Sequence, residues 1–151
     1  GQNVGLELQE VLRRSGFRHR AGKDAHAPGF YVHLESEGLF FGGGVWLPPN
    51  PVLNRIRDHI VDNARSWTRI RNAGAVQAAG GIRGDALKRP PRGYDPDHPY
   101  IADLRRKDFT AGARLTQKQV TSPGFIDEYA RMCKAASPYM GFLCDALGLP
   151  F

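Results

Sequence analysis

No stretch of this chain is long and apolar enough to cross a bilayer, and nothing near its beginning reads as a charged leader followed by an apolar segment. These two absences predict a soluble, unsecreted protein without a membrane partner. Cysteine is scarce: Cys133 and Cys144 stand eleven residues apart in helical-looking sequence, a spacing that matches neither a CxxC metal knuckle nor a disulfide framework. Both are expected to be buried, reduced thiols, which predicts a cytoplasmic location. There is no GxSxG, and Ser15, Ser36, Ser66, Ser122 and Ser137 fall where caps, turns or helix boundaries account for them. Nucleophilic catalysis through Ser or Cys therefore has little support. No HExxH-like pair fixes two metal ligands at once, so no metal is assigned, and the sequence names no cofactor. Internal repeats, heptads and low-complexity segments are also missing.

What is present fits one domain. At 151 residues the chain should bury roughly two-thirds of its unfolded surface, enough for a core. Hydrophobic content of 41% and charged content of 24% are ordinary for globular chains and speak against disorder. Lys+Arg exceed Asp+Glu by 21 to 15, a net charge of +6, and the basic residues concentrate between Arg83 and Lys118. A local positive excess favours anionic partners through long-range attraction.

Along the chain, LELQEVLRRSG reads as a short helix stopped at Gly16. In FYVHLE, Phe30, Val32 and Leu34 alternate with polar residues, SEG supplies a turn, and LFFGGGVWL follows, which predicts a β-hairpin over residues 29 to 47. The triple glycine, Gly42 to Gly44, predicts a bulge or a close approach by another backbone or a ligand. It is not a phosphate loop, because Val45, Trp46 and Leu47 continue the strand where a helix should begin. Asn50 as N-cap and Pro51 at the first position open a helix carrying Val52, Leu53, Ile56, Ile60 and Val61 at helical spacing. A second helix follows from Asn63. RPPRGYDPDHP is excluded from regular structure by its prolines, and Asp97 or His98 should cap a short helix bearing Tyr100, Ile101 and Leu104. Ser122 and Pro123 open a long helix that Pro138 should kink or split, with Gly148 as its stop.

Two constellations carry chemistry. A strand turns alternate side chains to one side, so Tyr31, His33 and Glu35 are expected on one face with neighbours roughly 7 Å apart, and His26 lies just upstream. Imidazole beside carboxylate can serve as an acid–base pair, or, with a further His such as His98, complete a 2-His-1-carboxylate metal site. Half-burial of an antiparallel sheet produces the same alternation without any site. The second constellation is LKRPPRGYDPDHP, where Lys88, Arg89 and Arg92 sit on a proline-stiffened loop. Cations held in place lose less freedom when they clamp a phosphate or carboxylate. Alternatively, Arg89 and Arg92 pair with Asp95, Asp97 or Asp103 and merely tie the loop down. Tyr94 and Tyr100 would add stacking platforms for single-stranded nucleic acid. Arg105, Arg106 and Lys107 complement a helix dipole.

In order, GKDAHAPGFYVHLE, GGGVW, LKRPPRGYDPDHP and TSPGF resemble the bacterial family catalogued as domain of unknown function 2461, over roughly residues 17 to 147. The resemblance implies no established reaction. That family also carries an upstream segment rich in Arg, Asp, Lys and Tyr, after which this chain begins, and residues Glu7 to Gly16 intervene where the family runs from its NVG strand almost directly into FRH. Residues 1–151 are accordingly expected to be a single domain, the C-terminal portion of a longer family domain, completed by that segment or by a homo-oligomer.

The combined expectation is an α+β domain: an antiparallel sheet with a central hairpin, packed on one face by helices starting near Pro51, Asn63, Pro99 and Pro123. Tyr31, His33 and Glu35 are expected to share a groove with Lys88, Arg89, Arg92, Tyr94 and His98. The groove would bind an anionic ligand, either phosphate-bearing or nucleic acid. The alternative is a hydrolase acting on an anionic substrate, with His33 and Glu35 as its acid–base pair or metal ligands.

Overall fold

Alternation of apolar and polar residues on either side of a Ser36–Glu37 turn produces the predicted hairpin, β1 (Gly29–Glu35) and β2 (Gly38–Val45). The computed structural model describes residues 28–78 and 81–150, the side chains of residues 31–35, 75 and 78 excepted. Leu39, Phe41 and Val45 of β2 are buried, and the register sets Val32 opposite Phe41 and Leu34 opposite Leu39. Four further pieces follow in chain order: α1 (Asn50–Asp62), α2 (Ala64–Asn72), α3 (Gly74–Ala78) and the two-residue strand β3 (Ile82–Arg83). After the proline-rich loop come α4 (Ile101–Leu104), β4 (Phe109–Thr116), α5 (Gln117–Val120) and α6 (Phe125–Leu147).

All strand pairs are antiparallel, in the order β1-β2-β4-β3. This is an α+β fold, as expected, but β2 and β4 are central while β1 ends the order among the described residues. The register runs without a break from Gly29↔Gly44 to Glu35↔Gly38, so the triple glycine marks close approach and not a bulge. A Cβ at Gly43 would stand 3.0 Å from the Phe30 ring and 3.2 Å from the Met140 sulfur, and one at Gly44, where φ is +132°, would stand 2.0 Å from the Phe109 carbonyl oxygen.

The helices cover one sheet face with two apolar clusters. One centres on Trp67, where Ile56 and Ile60 of α1 meet Phe109 of β4 and Tyr139, Phe142 and Leu143 of α6. The other joins Leu39 and Phe41 to Phe125, Tyr129, Met132 and Cys133 at the start of α6. Because α6 buries residues on the sheet side both before and after Pro138, it runs unbroken through that proline instead of splitting. Its stop is the predicted one: Gly148 adopts φ +66°, and Leu149 donates its N–H to the Cys144 carbonyl. Helix starts differ from expectation by a residue or two. Pro49, not Asn50, occupies the N-cap of α1, and Tyr100, not Asp97 or His98, precedes α4.

Candidate basic-loop site

The loop between β3 and α4 is clamped from several sides. Ala86 forms a bridge with Arg106, the Leu87 N–H donates to the Arg105 carbonyl (2.7 Å), and the Lys107 N–H donates to the Asp85 carbonyl (2.6 Å). The Arg105 guanidinium reaches back to the carbonyls of Leu87 (2.9 Å) and Lys88 (2.8 Å). Pro91 is buried, and the Tyr94 hydroxyl donates to Asp58 Oδ1 (2.6 Å) on α1. Partial burial, with Asp58 accepting its proton and repelling a phenolate, holds the Tyr94 hydroxyl well above its ordinary value.

What remains uncommitted is the basic set. Lys88, Arg89 and Arg92 are exposed, and among the described residues their side chains make no hydrogen bond or ion pair. Asp103, a predicted partner for them, is 1% exposed and taken: Oδ2 accepts from Trp67 Nε1 (2.8 Å) and Arg71 Nε (2.8 Å), and Oδ1 from Arg106 Nε (3.0 Å). Asp95 Oδ1 accepts the backbone N–H of Asp97 (2.9 Å). The tie-down role that sequence reading allowed for Arg89 and Arg92 is performed instead by Arg105 and Tyr94.

One buried group beneath the loop went unread in the sequence. Arg57, 3% exposed, donates to the carbonyls of Leu104 (2.7 Å) and Arg106 (3.1 Å) and to Asn54 Oδ1 (3.0 Å). It thereby satisfies backbone acceptors at the end of α4, and burial draws its pKa down. Tyr100 shares a hydrogen bond with Thr68 Oγ1 and lies under the Arg71 guanidinium, 5.8 Å from the ring centroid. His98 Nδ1 accepts the Tyr100 N–H at 3.0 Å, which fixes the ring and turns Nε2 away from the backbone as the free donor position.

The hairpin residues lie elsewhere. His26 and the side chains of Tyr31, His33 and Glu35 fall outside the described residues, while the backbone register sets Tyr31 opposite Gly42, His33 opposite Phe40 and Glu35 opposite Gly38. Phe40 in turn pairs with Arg114, whereas Arg83, entering the basic loop, pairs with Thr110. Three strand spacings across and four residues along separate the backbones of His33 and Arg83 by roughly 20 Å. The loop continues beyond that end of β4. Strand order thus sets the backbones of His33 and Glu35 at the opposite side of the sheet from the entry to the loop that carries Arg89 and Arg92. No group of three or more His, Cys, Asp or Glu side chains placed to hold a metal ion occurs among the described residues.

Sequence reading also missed a solvent-open cleft of about 530 Å³ between the α1–α2 corner and α6, lined by His59, Ser66 and Arg69 on one side and Pro138, Phe142 and Asp145 on the other. The available signal was the recurrence of His59, Asn63, Ser66 and Ile70 at three- and four-residue intervals beside a buried stripe.

The fold and the loop define a small α+β domain with a clamped, unpaired cationic segment on its surface. The chain belongs to the family described as Conserved hypothetical protein (DUF2461), whose model matches residues 12–142. No curated protein and no solved structure matches it. No helix among the described residues is long and apolar enough to cross a membrane.

Proposed function

We propose that the chain binds an anionic, phosphate-bearing ligand on the Lys88–Arg92 loop, single-stranded nucleic acid being the extended form of the same chemistry. One observation carries this reading: three exposed cations stand on a loop whose own fixation uses none of them, with the nearby buried carboxylate already saturated by other donors. A preordered guanidinium pair loses little freedom on clamping phosphate oxygens in bidentate fashion. His98 adds an Nε2–H donor later in the loop, and Tyr94 contributes by fixing the loop through Asp58. We do not extend the proposal to hydrolysis by His33 and Glu35, because β2 and β4 lie between their strand and the loop.

The test is a salt titration of affinity for a short single-stranded oligonucleotide and for nucleotides. If three phosphates are contacted, log affinity for the oligonucleotide should fall with log salt at a slope of about −2. Replacing Lys88, Arg89 and Arg92 together by Gln should abolish binding, while Lys134→Gln on α6 should not change it. Absence of binding at low salt, or binding indifferent to salt, ends the proposal.

A further inference from the structure

The cleft between α1, α2 and α6 combines features that the basic loop lacks. Its walls hold one cation and one anion, and the two do not close on each other. The Arg69 guanidinium reaches only its neighbour Ser66 Oγ, at 3.3 Å, and the Asp145 carboxylate has no hydrogen bond or ion pair among the described residues. The rest of the lining is largely apolar: Ile70, Ala73 and Pro138, with an edge of Phe142, which is itself buried and held by ring contacts with His59 (4.5 Å between centroids) and Trp67 (5.1 Å). A volume of about 530 Å³ suits a small molecule.

Charge selects the class of molecule. A simple anion would be drawn to Arg69 but repelled by Asp145, and a simple cation would meet the reverse. A zwitterion with an apolar body satisfies both charges and covers the apolar lining. We infer that this cleft binds a small apolar zwitterion, a free amino acid or short peptide, with its carboxylate toward Arg69, its ammonium toward Asp145 and its side chain against Ile70, Ala73 and Pro138. The site is independent of the basic loop and its phosphate chemistry.

Calorimetric titration of the purified chain with free phenylalanine and with the leucyl-phenylalanine dipeptide tests this, and the tighter of the two identifies the source. N-acetyl-phenylalanine and phenylalanine amide, each missing one charge, should bind at least about tenfold more weakly. Arg69→Gln and Asp145→Asn, both at exposed positions, should each weaken the zwitterion about tenfold, whereas the N-acetyl compound should bind Asp145→Asn no worse than the parent protein. No saturable binding up to about 10 mM, or parent-like affinity in both variants, overturns the assignment.

Discussion

Asp103 is nearly inaccessible to water, yet it faces three donors, two of them on guanidinium groups and one on the Trp67 indole at the centre of the core. A buried carboxylate is tolerated only when its lone pairs are filled, and here the filling groups come from α2 and from just beyond α4. One side chain thus fixes where the proline-rich loop re-enters the fold. Asp103→Asn keeps the shape but removes the charge and turns an NH₂ group toward an arginine. It should cost about 3–5 kcal/mol and lower the urea midpoint by about 2 M with an unchanged slope. A midpoint within about 0.3 M of the parent would mean that the carboxylate does not organise this region. Neither Asp103 nor Arg57 was legible as a buried residue, because charge predicts exposure unless the partners are known, and four of these partnerships span 32 to 49 positions in the chain.

Among the elements, the β2–β4 pair is the tightest joint in the sheet. Gly42 pairs with Gly112, and Gly44, at φ +132°, lets the Phe109 carbonyl come where a Cβ would be. Gly44→Ala combines backbone strain with a clash against backbone and should destabilise by about 3 kcal/mol. Gly29→Ala, across the hairpin from it and with nothing within 4 Å, should stay within about 0.5 kcal/mol. Thermal melts of the two variants decide between a steric account and a general intolerance of side chains in this sheet. The hairpin itself was readable because Phe30, Val32 and Leu34 are large and alternate cleanly. β4 was not, although Phe109, Ala111, Ala113 and Leu115 alternate just as strictly. Alanine and glycine give a weak period-2 signal, and only the pairing with β2 turns it into a central strand. The basic loop was legible as irregular and cationic from its prolines and arginines. Its distance from His33 was not, because that distance depends on β4, the strand the sequence concealed. The cleft was invisible for a similar reason: its two walls come from stretches some seventy positions apart, and neither alone shows that it faces the other.

At the scale of the whole molecule, the long helix α6 places both thiols, Cys133 and Cys144, in the buried layer beneath the sheet, and burial pushes each up to about 11 from an ordinary 9.0. Consider the interval between those two values. An unfolded chain releases its thiol protons near 9, whereas the folded chain retains them, so the unfolded state binds fewer protons and stability must fall as pH rises. The contribution is complete below pH 9, declines from about 9 to about 11, and is gone above that. Burial also raises the hydroxyls of Tyr94 and Tyr129, which extends the decline in the same direction. Melting temperature followed by circular dichroism should therefore be level from pH 7 to 9 and fall through pH 11. A variant with Ala at both cysteine positions should start lower, from lost packing, and fall less steeply over the same interval. If its decline is as steep as that of the parent, thiol burial is not what couples the stability of this fold to alkaline pH.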